Sequence, residues 1–123
     1  METFKSQNER LNLLSVNMEE VIEACLESHR RCLSTAQHCL ALGKNYAQPV
    51  IINALMECAE VARLTADCIV SSSEFSHDLA GLCARVCENT ARKCNELDPE
   101  DGHIVACVLI CRQCADTCRN MEH

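Results

Sequence analysis

The stretch CVLICRQCADTC, residues 107–118, places cysteines at Cys107, Cys111, Cys114 and Cys118, with spacings of four, three and four residues. Side chains that are three and four positions apart lie on the same face of an α-helix. A stripe with this spacing is typical of the inward face of a helix in a bundle. The stretch therefore predicts a bundle helix with one face made of thiols.

The same pattern occurs in three earlier segments, so the chain contains an internal repeat. Each copy has a cysteine, then a small residue three positions later, an alanine at four, and Cys or Thr at seven. The copies begin at Cys32, Cys58, Cys87 and Cys111, and their alanines are Ala36, Ala62, Ala91 and Ala115. A methyl group beside the stripe allows two helix backbones to approach closely. The repeat predicts four equivalent helices.

The distribution of turn-forming residues sets the fold class. They cluster at 43–49, 71–76 and 98–102, and good helix formers fill the segments between. Linkers this short make neighbouring helices antiparallel. The sequence therefore predicts an all-α fold, an antiparallel up-down-up-down four-helix bundle with a short extra N-terminal helix, and Asn17 is the expected cap of the first bundle helix. The predicted helices cover about 3–14, 18–43, 50–72, 76–97 and 100–121, in a single domain over 1–123.

The composition restricts the class of protein. The 123 residues suffice for one domain, and twelve Cys beside only three Gly and two Pro argue against a loop-rich secreted disulfide scaffold. Residues 1–10 are polar, and no run approaches the roughly 20 apolar residues of a membrane span. We therefore expect a cytoplasmic protein with no membrane partner. The net charge of −7 disfavours nucleic acid as a partner.

Every cysteine falls on one of the predicted inward stripes, where Ser28, Thr35, Thr65 and Thr90 accompany the thiols. The twelve are Cys25, Cys32, Cys39, Cys58, Cys68, Cys83, Cys87, Cys94, Cys107, Cys111, Cys114 and Cys118. Free Cys packs as a small hydrophobe, but a core of thiols and hydroxyls buries little apolar area. Disulfides are disfavoured because i,i+4 pairs have poor geometry and the expected compartment is reducing. The stripes therefore predict a metal-lined interior.

Soft thiolates select Cu(I), Zn(II) or iron–sulfur clusters. Iron–sulfur proteins usually present their cysteines from turning loops. Zinc takes about four thiolates in a closed tetrahedron, which leaves each site with a net charge of −2. Cu(I) accepts two thiolates and thiolates can bridge, so about one Cu(I) per thiolate cancels the core charge. This charge balance favours multiple Cu(I) ions per monomer. The alternatives are a zinc-binding protein, a cysteine-rich thiol redox buffer, and a structural bundle in which Cys only fills the core.

Three further residues are candidate metal ligands at the ends of the bundle. His103 lies four positions before Cys107, at the start of the last helix. Met18 and Met121 occupy stripe positions at the opposite end, and a thioether is a soft ligand for Cu(I). The chain presents no Ser/His/Asp set, Gly-rich phosphate loop or carboxylate pair, so we expect that it is not an enzyme.

A second apolar stripe predicts contact between subunits. Leu26, Leu33 and Leu40 each follow a cysteine of the first bundle helix, about 100° around the helix from the thiols. A single bundle leaves much of this stripe exposed, so either the extra N-terminal helix or another subunit covers it. We expect a homo-oligomer.

The cysteine motifs resemble those of a known family, the bacterial cytosolic four-helix-bundle copper storage proteins. Cys107-x3-Cys111-x2-Cys114-Ala-x2-Cys118-Arg, preceded by His103, resembles the last helix of the family. Cys83-Ala-x-Val-Cys87 through Cys94 resembles its third helix, and Glu57-Cys58-Ala to Ser73-Glu74-Phe75 its second. The likeness covers about residues 18–119.

The resemblance implies a lumen that stores many Cu(I) ions on cysteine, usually in a homotetramer. This chain carries hydroxyls at Thr35, Thr65 and Thr90, where richer members of the family can carry thiols. The resemblance therefore implies a lower capacity than theirs. The sequence identifies neither the copper donor nor the acceptor.

Overall fold

The computed structural model describes residues 2–121, with the side chains of residues 17–121, and over this range the fold is all-α and contains no strand. The four helices are α1, Glu2–Leu42; α2, Pro49–Val70; α3, Ser76–Leu97; and α4, Gly102–Met121. A short 3-10 turn, Lys44–Ala47, lies between α1 and α2. The predicted all-α, four-helix architecture is confirmed.

α1 is a single continuous helix of 41 residues, about 62 Å long. It replaces the predicted pair of a short helix over 3–14 and a bundle helix that starts after Asn17. Neither Gly nor Pro interrupts residues 2–42, and an Asn inside a helix costs only about 0.7 kcal/mol relative to Ala. A capping residue by itself does not end a helix unless the chain also turns there.

Local chain chemistry fixes the other helix boundaries. α1 ends before Gly43, whose φ of 74° lies in the region that favours glycine. α2 begins with Pro49, in the first turn of a helix, where a missing N–H costs nothing. α4 begins two residues later than predicted, because Asp98 Oδ1 accepts hydrogen bonds from the backbone N–H groups of Glu100 and Asp101 at 2.9 and 3.2 Å. These bonds hold the connection in a turn.

Contacts between α1 and α4 pair early residues of one helix with late residues of the other. Cys25 lies against Cys118, and Cys32 lies against Cys111. The order of these pairs makes the two helices antiparallel. Two ends of the bundle follow from the connections: the α2–α3 end, which contains the turn at residues 71–75, and the α3–α4 end, which contains the turn at 98–101.

Small residues bring the four helices together around a common interior, the lumen. The alanines of the repeat are each at most 1% exposed: Ala36, Ala62, Ala91 and Ala115. Their methyl groups occupy little space, so the helices pack closely and the cysteine stripe of each helix faces the lumen. Larger apolar side chains, Ile51 and Ile104, are buried near the α3–α4 end.

Over the described residues, the structure contains no helix that is long and apolar enough to cross a membrane.

Candidate metal centre

The thiols of the lumen are unpaired by disulfides and almost wholly buried. All twelve cysteines are free, and eleven of them are buried. Cys68, near the end of α2, is partly exposed. Because each of the four helices contributes at least one buried thiol, the sulfur atoms come from all sides of the lumen rather than from one helix face.

A four-thiol cluster lies toward the α2–α3 end. Its members are Cys25, Cys83, Cys114 and Cys118, and their sulfur atoms all lie within 4.8 Å of one another. The Sγ of Cys25 is 3.7 Å from that of Cys118 and 4.0 Å from that of Cys114. The predicted i,i+4 pair Cys114/Cys118 is also 4.0 Å apart. Three helices therefore supply one compact set of sulfur ligands.

A three-thiol cluster occupies the middle of the lumen. Cys32, Cys58 and Cys111 have sulfur atoms within 4.8 Å of one another, and the Cys32 and Cys111 sulfurs are 3.6 Å apart. Cys87 connects this cluster to the four-thiol cluster, since its sulfur lies 3.6 Å from that of Cys58 and 3.9 Å from that of Cys83. The thiols thus form a continuous row and not two isolated sites.

The row continues toward the α3–α4 end. Cys107 Sγ lies 4.0 Å from Cys32 Sγ. The pKa of Cys94 is raised, first by a hydrogen bond with the Cys107 thiol and then by burial. Burial raises the pKa of Cys39 as well, followed by the negative charge of Asp101. Cys39 and Cys94, at this end of the row, belong to neither of the two clusters.

Three of the four cysteines of α4 divide between the two clusters: Cys114 and Cys118 belong to the four-thiol cluster and Cys111 to the three-thiol cluster. Cys111 contacts Cys32, whereas Cys114 contacts Cys25. Cys68 joins neither cluster and contacts no other sulfur within the described part of the chain, so its predicted role as a ligand stays a prediction.

Three thiols have a pKa well below that of an ordinary cysteine: Cys58, Cys83 and Cys107. The largest cause in each case is a hydrogen bond from a neighbouring thiol, given by Cys114 to Cys83 and by Cys111 to the other two. A buried thiolate is otherwise unfavourable, because desolvation penalises the charged form. A thiolate in the lumen therefore needs hydrogen-bond donors or cations to stabilise it.

Four hydroxyl side chains share the lumen with the thiols, and each is fully buried or nearly so: Ser28, Thr35, Thr65 and Thr90. Ser28 Oγ lies 3.7 Å from Cys87 Sγ and 3.8 Å from Cys58 Sγ and Cys111 Sγ. The spacing of the α1 stripe predicts Ser28 in the lumen but not its contacts with three other helices. A polar residue among repeated thiols on one stripe is the signal that could have indicated them.

The candidate ligands at the two ends lie outside the thiol row. His103 is exposed, and its ring stacks on His38 with centroids 4.4 Å apart. His38 is half-buried, and its Nε2–H donates to the Asp101 carboxylate at 3.0 Å. Met18 and Met121 line a cavity of about 400 Å³ at the α2–α3 end. Their roles as ligands remain predictions.

Comparison with known proteins identifies the family. A sequence profile described as copper storage protein matches residues 15–123. The chain belongs to the copper storage protein family. A second member by sequence is the Bacillus subtilis (strain 168) protein YhjQ, described as an uncharacterized cysteine-rich protein. It is 31% identical over 108 residues, which cover 85% of this chain and 98% of YhjQ.

Two solved structures resemble this member of the copper storage protein family in fold. The crystal structure of Nmul_A1745 from Nitrosospira multiformis has a TM-score of 0.80 and 33% identity, and the match covers 88% of this chain and 96% of that one. The Cu(I)-bound copper storage protein BsCsp3 has a TM-score of 0.81 and 29% identity, over 87% of this chain and 99% of its own. The similarity in fold to these two structures extends over nearly the whole four-helix bundle.

Proposed function

We propose that the protein binds and stores multiple Cu(I) ions on the cysteine thiolates that line its lumen. The observation that carries this proposal is the continuous row of buried, free thiols shared by four helices. A core of this kind is a poor source of apolar burial, whereas it supplies the soft ligands that Cu(I) prefers. The Cu(I)-bound state of the structural relative BsCsp3 supports the same cargo.

Charge balance distinguishes Cu(I) from a divalent metal along this row. Each Cu(I) that binds displaces one thiol proton to solvent, so a copper–thiolate unit is neutral, and bridging thiolates extend the chain from one cluster to the next. Zinc at the four-thiol cluster leaves a net charge of −2 within a buried space. The three-thiol cluster does not supply four sulfurs of its own, which further favours ions that accept two or three ligands.

The proposed ligands are the eleven buried thiols, with Cys68 as a peripheral thiol. They are Cys25, Cys32, Cys39, Cys58, Cys83, Cys87, Cys94, Cys107, Cys111, Cys114 and Cys118. His103 at the α3–α4 end, and Met18 and Met121 at the α2–α3 end, are proposed as secondary ligands for ions that enter or leave. His103 and Met18 are exposed and Met121 is half-buried, which suits transfer more than long-term storage.

Storage requires neither a reaction nor a resident cofactor, and we therefore assign no enzymatic role. The proposed location is the cytoplasm, where thioredoxin and glutathione keep twelve thiols reduced. The proposed assembly is a homotetramer. Leu40, 48% exposed on the outer side of α1, lies on the apolar stripe that a subunit contact would cover. Light scattering after size-exclusion chromatography measures the mass of the assembly.

Titration with Cu(I) under anaerobic, reducing conditions tests the proposal. We expect tight binding of on the order of one ion per thiolate, about ten per chain, measured by competition with a Cu(I) chelator. Copper loading should also raise the melting temperature, because ligands that bind only the folded state stabilise it. Saturation at one or two ions, with zinc bound more tightly than copper, would instead establish a zinc site at the four-thiol cluster.

A further inference from the structure

The four hydroxyls of the lumen fall into two classes, according to where their hydrogen bonds go. The hydroxyls on α2 and α3 are bonded to the backbone. Thr65 Oγ1 donates to the carbonyl of Val61 at 2.7 Å, one turn earlier in α2. Thr90 Oγ1 donates to the carbonyl of Ala54 at 3.1 Å, across from α3 to α2. These two O–H groups are already engaged by the protein itself.

The two lumen hydroxyls on α1 have no backbone partner among the described residues. The contacts of Ser28 Oγ are the sulfur atoms of Cys58, Cys87 and Cys111, at 3.7–3.8 Å. Thr35 is fully buried, and its Oγ1 makes no well-aligned hydrogen bond among the described residues, although the hydroxyl lies near the Cys107 thiol and lowers the pKa of that thiol. A threonine in a helix can bond to a carbonyl one turn back, as Thr65 does. Thr35 leaves this bond unmade, at the cost of a buried unsatisfied group.

Copper loading changes the hydrogen bonding of the sulfur atoms. In the metal-free lumen each thiol can donate its S–H to a neighbouring sulfur, as the 3.6 Å contact between Cys58 and Cys87 illustrates. Each bound Cu(I) replaces such a proton, so the loaded sulfurs become acceptors that have lost their donors. An uncharged O–H group that already faces the row can then bond to a copper-bound sulfur without bringing any new charge into the lumen.

We propose that the hydroxyls of Ser28 and Thr35 are hydrogen-bond donors to the copper-bound thiolates, and that they strengthen copper retention without acting as ligands. This inference rests on the proposed function. Ser28 lies at the middle of the row, and its Oγ is 3.7–3.8 Å from thiols of α2, α3 and α4. Thr35, three residues beyond Cys32 and four before Cys39, serves the part nearer the α3–α4 end. Both are positioning residues, because neutral hydroxyl oxygen is a poor ligand for Cu(I).

The inference predicts a loss of affinity at unchanged capacity. Ser28→Ala and Thr35→Val each remove one donor and no sulfur, so the number of bound ions should equal that of the parent. The most weakly held ions should become about tenfold weaker, as expected for one hydrogen bond to a charged acceptor. Thr90→Val is the matched control. It also removes a lumen hydroxyl, but one that bonds to Ala54, and copper affinity should stay at the parental value.

The experiment uses the full chain, loaded anaerobically with Cu(I), in four forms: the parent, Ser28→Ala, Thr35→Val and Thr90→Val. Chelator competition gives affinity and capacity, and the sulfur-to-copper absorption band reports the sulfur environment. We expect both α1 variants to lose affinity and to shift this band to longer wavelength, because an unbonded sulfur holds its lone pair less tightly. The control should do neither.

Each outcome decides a separate question. A Ser28→Ala or Thr35→Val protein that matches the parent in affinity and absorption overturns the role of that hydroxyl, while storage itself stands. An equal loss in Thr90→Val overturns the distinction between the two classes of hydroxyl. A parent that binds no more than one or two Cu(I) ions overturns the proposed function and this inference together. Loss of ions rather than of affinity in an α1 variant would make the hydroxyl a ligand, contrary to the proposal.

Discussion

The same substitution at two lumen threonines should have opposite effects on the stability of the metal-free protein. Thr35 and Thr90 are both fully buried, and valine matches threonine in shape while lacking the hydroxyl. Thr90 Oγ1 donates to the backbone oxygen of Ala54 at 3.1 Å. Thr35 Oγ1 makes no well-aligned hydrogen bond in the part of the chain whose side chains are described. Thr90→Val therefore removes a hydrogen bond that the folded protein makes, whereas Thr35→Val removes a hydroxyl that makes none.

The magnitudes follow from this difference. Thr90→Val removes a buried bond between α3 and α2, which should lower the free energy of unfolding by about 1 kcal/mol. In a domain of 123 residues, such a loss lowers the melting temperature by about 4 °C. Thr35→Val removes a hydroxyl that is desolvated without a bond. The free energy of unfolding should stay unchanged or rise by as much as about 1 kcal/mol.

Urea unfolding of the metal-free proteins, followed by the helical circular dichroism signal with reductant and chelator present, measures both changes. The double variant should show the sum of the two effects, because the hydroxyls share no partner. A Thr35→Val protein as destabilised as Thr90→Val would refute the reasoning, since it would show that the Thr35 hydroxyl is bonded in the folded protein. Unequal unfolding slopes would instead indicate a change in the unfolded state.

Three further predictions concern capacity and pH. Thr90→Cys should bind about one more Cu(I) than the parent in the chelator titration, because it completes a thiol stripe like that of α4. Cys114→Ser should lower the number of tightly bound ions, whereas the matched variant Cys68→Ser should leave it nearly unchanged; equal losses would place Cys68 in the row. Tyr46 donates to Asp98 at 2.6 Å and so lowers the pKa of that carboxyl. Tyr46→Phe should therefore cost stability above about pH 4, and urea unfolding should show the difference shrinking as acid protonates the carboxyl below that pH.

The helices and the inward position of the thiols could be predicted because they depend on local spacing. A stripe of residues three and four apart determines which face of a helix is apolar. Because the repeat occurs in all four helices, it also indicates which residues of each helix face the lumen. Eleven of the twelve cysteines are buried, as expected. The exception, Cys68, lies near the end of α2. A seven-residue stripe drifts about 20° per repeat on a straight helix, and toward a helix end this drift turns a side chain away from the lumen.

Contacts between helices could not be read from the sequence. A helical threonine usually bonds to a carbonyl one turn back in its own helix, but the Thr90 hydroxyl bonds instead to Ala54 of α2. Leu64 of α2 and Leu82 of α3 are large apolar residues, yet they are 45% and 37% exposed. Both outcomes depend on how far and at what rotation two helices approach, which the periodicity of a single helix does not determine.

The closely packed alanines separate the width of the bundle from its length. The distance between the helices, and hence the diameter of the lumen, is set by the buried alanines Ala36, Ala62, Ala91 and Ala115. Length is free to vary: seven more residues in each helix extend it by about 10.5 Å and repeat the same layer of lumen positions. A bundle with a larger copper capacity can therefore arise when seven residues are duplicated in every helix, while the loops and the diameter of the lumen stay the same. An insertion in one helix alone breaks the phase, so such growth has to occur in all four helices together.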